Sequence, residues 1–84
     1  MPEKARTILN YITDYKTRRG IAPTYREIGA SCGVPSTSLV RYYLDMLEVG
    51  GHVVRLKGVS RGILLAEEAS ARGLGVGSLG VGSL

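Results

Sequence analysis

Three hydroxyls in a row, Ser36, Thr37 and Ser38, stand where a helix is expected to begin, and Arg41 follows one turn on. A helix N-terminus carries backbone N–H groups that no carbonyl of its own helix can reach, and short hydroxyls beside them add further donors. Such a cluster takes a phosphate or the edge of a base. A guanidinium one turn further on makes a two-pronged hydrogen bond to guanine or neutralises a phosphate. Leu39 and Tyr42 flank Arg41 and can meet thymine methyl groups. A second basic element follows, Lys57-Gly58-Val59-Ser60-Arg61-Gly62, whose arginine between small residues suits a minor groove. With Thr24 at the entry to the preceding helix, the candidate DNA-binding residues are Thr24, Ser36, Thr37, Ser38, Leu39, Arg41, Tyr42, Lys57, Ser60 and Arg61.

Each of these also has a plain structural reading. Ser36 caps a helix with or without DNA, and Thr37 and Ser38 are ordinary first-turn residues. Arg41 can pair with Asp45 at i,i+4, Tyr42 can flank the core, and Gly58 and Gly62 can serve turn geometry alone. Singly, the structural reading prevails for most of them; two basic elements together favour function.

The elements that must position these groups are legible from local signals. Ala5, Ile8, Leu9, Ile12 and Tyr15 or Lys16 trace a helix from Lys4 to about Arg18, which Gly20 closes. Ile21-Ala22 is extended because it precedes Pro23, and it is available to pair with a later strand. Thr24 and Glu27 form a capping box that starts a short helix at Tyr25, with Ile28 and Cys32 inward. Gly33-Val34-Pro35 forces a turn, and Ser36 caps a third helix, about Thr37 to Val49, whose apolar stripe is Val40, Tyr43, Leu44 and Leu47. Gly50-Gly51 stops it. His52 to Lys57 and Ile63 to Leu65 read as the two arms of a hairpin. Its register stays open, because Val53 and Val54 are both apolar while Arg55 shares a face with Val53.

Eighty-four residues make one small domain with no room for a large enclosed active site. The net charge is +4, and ten basic against five acidic residues through Leu65 leave +5 on the folded part, a field that draws in polyanions. Cys32, the single cysteine, excludes an intrachain disulfide and reads as a small buried thiol. The one histidine, His52, opens a strand and reads as a surface or wing-base residue. No base and orienting group accompany a nucleophile, so neither an enzyme nor a metal site nor a cofactor is expected. Without a leader or a membrane-length apolar run, the expected setting is a soluble protein of the cytoplasm. Residues 1–66 are expected to form the domain. Residues 67–84 read as a flexible linker, able over Ala66 to Arg72 to extend a turn or two of helix, and a disordered tail carrying the tandem repeat Gly75-Val76-Gly77-Ser78-Leu79 and Gly80-Val81-Gly82-Ser83-Leu84.

The fold class expected is mainly α with a small β-hairpin, a three-helix winged helix-turn-helix. Ala22-Pro23-Thr24-Tyr25-Arg26-Glu27-Ile28, Cys32-Gly33-Val34, Leu44 to Leu47 and Gly58-Val59-Ser60-Arg61-Gly62-Ile63 resemble the N-terminal DNA-binding domain of LexA-type repressors, over roughly Ala5 to Leu65. The resemblance implies major-groove roles for Ser36, Ser38, Leu39, Arg41 and Tyr42 and a wing role for Ser60 and Arg61. It also marks two departures. Arg41 and Tyr42 stand where the family typically has acidic residues, so its operator is not carried over. The serine-lysine self-cleaving domain and its Ala-Gly cleavage bond do not follow the linker, so autoproteolysis and that domain's dimer interface are not expected either.

Together these readings predict a sequence-specific double-stranded DNA-binding regulator of repressor type, with the third helix in the major groove, the wing near the minor groove, and two copies able to pair on DNA. The competing reading is a winged-helix protein-interaction module that docks through Leu39, Tyr42 and Met46. Salt separates the two, since DNA affinity falls steeply with ionic strength and apolar docking does not.

Overall fold

The computed structural model describes residues 1–73. Its elements run α1 (Glu3–Arg19), α2 (Tyr25–Cys32), α3 (Thr37–Val49), β1 (Val53–Arg55), β2 (Ile63–Leu65) and α4 (Ala66–Ala71). Three helices followed by a two-stranded antiparallel hairpin are a winged helix-turn-helix.

Local chemistry sets the helix boundaries. In α1, Glu3 lies in the first turn and Lys16, Arg18 and Arg19 in the last, both signs complementing the helix dipole. The capping box of α2 is complete: the Glu27 N–H donates to Thr24 Oγ1 at 3.1 Å, and the Thr24 N–H donates to Glu27 Oε1 at 2.8 Å. Gly33 closes α2 at φ +73°, a conformation glycine adopts without the Cβ penalty of other residues, and the Val34 N–H reaches back to the Gly29 carbonyl at 2.9 Å. The Lys4 ammonium donates to the Cys32 carbonyl at 2.9 Å, so α1 supplies a second closure for α2. Ser36 Oγ accepts from the Leu39 N–H at 3.1 Å and starts α3.

The core lies where the three helices meet. Ala5, Ile8 and Ile12 from α1, Ile28 and Cys32 from α2, and Val40, Leu44 and Leu47 from α3 pack with Ala22, Val34, Val53 and Ile63. Cys32 is buried and its thiol is pushed up by that burial, with the Lys4 charge pulling the other way. The hairpin register is Val53 opposite Leu65, Val54 opposite Leu64 and Arg55 opposite Ile63. Val53 takes the core position, and Arg55 on the same face swings onto the edge of α3.

Two expectations are corrected. The first strand, Val53–Arg55, is shorter than the run from His52 to Lys57 suggested, while the second spans Ile63–Leu65 as read. Ile21-Ala22 pairs with neither of them, and the Ala22 carbonyl accepts instead from the Arg61 guanidinium at 3.0 Å. The short linker read as able to extend a turn or two of helix forms α4, which packs along the hairpin with Ala69 fully buried. Glu68 anchors it: its carboxylate accepts from the Leu65 N–H at 2.8 Å and lies 3.2 Å from the Lys16 ammonium, which also donates to the Ile63 carbonyl at 3.0 Å. The Gly-Val-Gly-Ser-Leu repeat lies outside the described residues.

Candidate nucleic-acid interface

Helix α3 has two faces of opposite character. Val40, Leu44 and Leu47 are fully buried, while Ser36, Thr37, Ser38, Arg41 and Tyr42 are all exposed and Leu39 is half-buried at the boundary. Because Ser36 Oγ engages the Leu39 N–H, the N–H groups of Thr37 and Ser38, which no helix carbonyl can reach, stand at the outer end of the helix with three hydroxyls around them.

Arg41 does not pair with Asp45. The Asp45 carboxylate accepts from Arg55 Nη2, and Glu48 one turn further on accepts from Arg55 Nε at 2.8 Å and from the Arg55 N–H at 3.4 Å. Burial pulls the Arg55 guanidinium pKa down, but these bonds outweigh it and hold it above its ordinary value. One arginine on β1 thus ties the wing to α3 and consumes both carboxylates of that face. Arg41 is left with no carboxylate partner among the described residues, and its guanidinium lies 5.8 Å above the Tyr25 ring, a cation–π distance that orients it without neutralising it.

Between α3, the start of α2 and the wing runs an open concavity of about 810 Å³. Its walls bring together Thr24, Arg41, Lys57, Ser60 and Arg61, residues far apart in the chain, along with Tyr25 and Arg55. Ser36, Thr37, Ser38, Leu39 and Tyr42 lie outside it on α3. The charge of the concavity is positive, since the one lining carboxylate, Glu48, is already paired with Arg55.

Arg61 sits differently from the free tip that the sequence suggested. Its guanidinium is turned back onto the body of the domain, where Nη1 lies 3.0 Å from Glu27 Oε1 and Nη2 lies 3.3 Å from Oε2. Nη1 also donates to the Tyr15 hydroxyl at 3.1 Å. These two partners, Tyr15 first, hold the Arg61 pKa above its ordinary value. The Thr24 N–H, and after it the Arg61 guanidinium, draw the Glu27 carboxyl from its usual 4.5 down to about 2. The outward positions of the wing are Lys57, Val59 and Ser60, and Val59 is 54% exposed, an apolar tip residue that charge and spacing alone did not single out.

Tyr25, Arg55, Asp45, Glu48 and Glu27 were likewise missing from the sequence-derived site. Tyr25 and Glu27 had local signals, the one beside the Thr24 cap and the other in its capping box; Arg55, Asp45 and Glu48 acquire their roles through partners on different elements. Leu39, Tyr42 and Met46 form no continuous exposed apolar face, since Leu39 and Met46 are half-buried and the Tyr42 ring stands edge-on to Tyr43 with centroids 5.5 Å apart. Among the described residues no group of three His, Cys, Asp or Glu side chains could hold a metal ion, and no helix is long and apolar enough to cross a membrane.

The model of the LexA DNA binding domain matches residues 1–62. Among similar proteins, the LexA repressor of Corynebacterium diphtheriae is 46% identical over 55 residues, which is 66% of this chain and 23% of that protein. LexA repressor 1 of Nocardia farcinica is 41% identical over 63 residues, 75% of this chain and 29% of that protein. The LexA repressor of Geotalea uraniireducens is 39% identical over 64 residues, 76% of this chain and 32% of that protein. The chain thus spans about a quarter to a third of the length of these relatives. With a winged helix-turn-helix, a half-exposed third helix and a match over residues 1–62, the chain belongs to the LexA DNA-binding domain family.

Proposed function

We propose that this chain binds double-stranded DNA sequence-specifically, as a regulator of repressor type, with α3 in the major groove and the wing against the adjoining backbone and minor groove. The observation that carries this reading is the geometry of α3: one face is locked into the core by Val40, Leu44 and Leu47, and the other offers an unpaired arginine and a hydroxyl-rich N-terminus beside a positive concavity. A major groove is about 12 Å wide and admits one helix, which such a two-faced helix can fill while staying anchored.

Arg41 is the principal base reader, because its guanidinium is held over Tyr25 and no carboxylate among the described residues competes for it. Ser36, Thr37 and Ser38, with their first-turn N–H groups, bind phosphate or a base edge, and Leu39 and Tyr42 supply apolar contact to thymine methyls. Thr24, Lys57 and Ser60 line the concavity through which a phosphate strand passes, and Lys57 neutralises it. One copy offers a small contact set, so the repressing species is two copies on adjacent half-sites, about 10–10.5 base pairs apart or a multiple of that.

The test is selection from a random duplex library followed by anisotropy titration of the selected and a scrambled duplex at two salt concentrations. The expected result is a selected sequence bound at least about 1,000-fold more tightly than the scrambled one, with affinity falling steeply as salt rises. No enrichment, and weak binding insensitive to sequence, would refute the reading.

A further inference from the structure

The wing carries one feature that a free DNA probe does not explain. The geometry points to Arg61 as a positioning residue, a latch that fixes the wing against α1 and α2 through Tyr15, Ala22 and Glu27, so that other wing residues meet the DNA. This rests on the DNA-binding reading for its consequence, but not for its structural content.

Four acceptor atoms from three places converge on one side chain. The guanidinium meets both oxygens of Glu27 at 3.0 and 3.3 Å in a two-pronged pair. It also meets the Tyr15 hydroxyl on α1 at 3.1 Å and the Ala22 carbonyl at the α1–α2 junction at 3.0 Å. Planar pairing of this kind is specific in direction as well as favourable, so it sets an angle and not only a distance. Glu27 is itself fixed, since the same carboxylate closes the capping box on the Thr24 N–H. Tyr15 is buried, and the Arg19 guanidinium lies 4.9 Å over its ring, which restrains the hydroxyl further. Every partner of Arg61 is therefore preorganised.

The backbone adds a second, independent observation. Among the described residues Arg61 is the only non-glycine with positive φ, at +57°. A side-chain-bearing residue holds that conformation only where its surroundings dictate it. Here the twist turns the guanidinium inward while Lys57, Val59 and Ser60 remain outward. Insertion of Arg61 into a minor groove would require giving up all four contacts, whereas leaving it latched presents a rigid tip at no such loss.

The latch and the direct-contact alternative predict opposite signs for one substitution. Glu27→Gln preserves the capping box, which glutamine also completes, but removes the charge that pairs with Arg61. If Arg61 contacts DNA, deleting a nearby negative charge leaves affinity unchanged or raises it. If Arg61 is a latch, Glu27→Gln frees the wing and affinity falls, about tenfold. Arg61→Ala then weakens binding by a similar factor with an unchanged salt slope, and the double variant is no weaker than Arg61→Ala alone. Tyr15→Phe, which removes one acceptor and no charge, gives a smaller loss in the same direction.

Amide hydrogen exchange at Leu56 and Gly62, whose N–H groups donate to the Gly62 and Val59 carbonyls at 2.7 and 3.1 Å, reads the latch in the free protein without DNA: both amides exchange faster in Glu27→Gln than in the wild type, while Ile28 and Leu44 do not change. If the wild type binds no duplex, the functional proposal fails and the latch is still judged by exchange. Equal or tighter DNA binding by Glu27→Gln, a salt slope reduced by about 0.9 in Arg61→Ala, or unaltered wing exchange would each overturn it.

Discussion

Replacing Gly29 by alanine sets two effects of opposite sign against each other. Inside a helix glycine costs about 1 kcal/mol relative to alanine, so propensity alone makes Gly29→Ala stabilising. In this structure a Cβ at position 29 would stand 2.9 Å from the Val34 carbonyl oxygen and 3.4 Å from Val40 Cγ2. That carbonyl belongs to the turn joining α2 to α3, and the Val34 N–H is bonded to the Gly29 carbonyl at 2.9 Å, so the turn cannot swing away and keep that bond. Val40 is fully buried and has no free direction either. An extra methyl in a packed site costs about 1–3 kcal/mol, and a strained or broken hydrogen bond adds about 1 kcal/mol. Set against the propensity gain, the net is a destabilisation of about 1–3 kcal/mol. For a domain of this size each kcal/mol moves Tm by about 4–8 °C, so thermal denaturation followed by circular dichroism resolves it easily. Ala30→Gly, at the exposed neighbouring position, is the control that obeys propensity, with a loss of about 1 kcal/mol. A Gly29→Ala protein melting at or above the wild-type temperature would refute the close-approach reasoning.

Arg41→Ala should cost about 1–3 kcal/mol on the selected duplex and much less on a scrambled one in anisotropy titrations; equal loss on both would make Arg41 a phosphate contact. Gly62→Ala should impair DNA affinity more than stability, because a Cβ there would lie 2.8 Å from the Val59 carbonyl oxygen and 2.9 Å from Val59 Cβ, which distorts the tip and not the core; unchanged affinity would count against a contribution from the wing. The depressed Glu27 carboxyl, about 2 in the folded protein against an ordinary 4.5, contributes stability above the unfolded value that is lost as pH falls through that interval. Urea midpoints measured from about pH 5 down to about pH 2 should therefore fall less steeply in Glu27→Gln than in the wild type, and parallel curves would argue against the pairing.

The helices were legible because their ends are local chemistry. Thr24 and Glu27 are three residues apart, Gly33-Val34-Pro35 admits no helix through it, and Ser36 sits next to the apolar stripe it caps. The hairpin was legible as an element but not in its register, since neither Val53 nor Val54 declares which of them faces the core. The partners that settle it, Asp45 and Glu48, lie on α3. Arg61 was legible as a wing residue but not in its aim, because its acceptors are 34, 39 and 46 residues away. Arg41 was open between pairing with Asp45 and standing free, and only the capture of Asp45 by Arg55 decided it. The helix α4 was legible only as a turn or two of helix within a short linker, because its residues are small and acidic; its local sign is Glu68, three residues after Leu65, whose carboxylate accepts from the Leu65 N–H.

The most direct measurement is a dimethyl sulfate footprint of the wild-type protein on its selected duplex, because the reagent marks guanine N7 in the major groove and adenine N3 in the minor groove. With α3 in the major groove, guanine N7 positions in each half-site are protected, and the guanine facing Arg41 becomes reactive again in Arg41→Ala. Protection confined to adenine N3, or guanine N7 reactivity unchanged by the bound protein, would contradict the account.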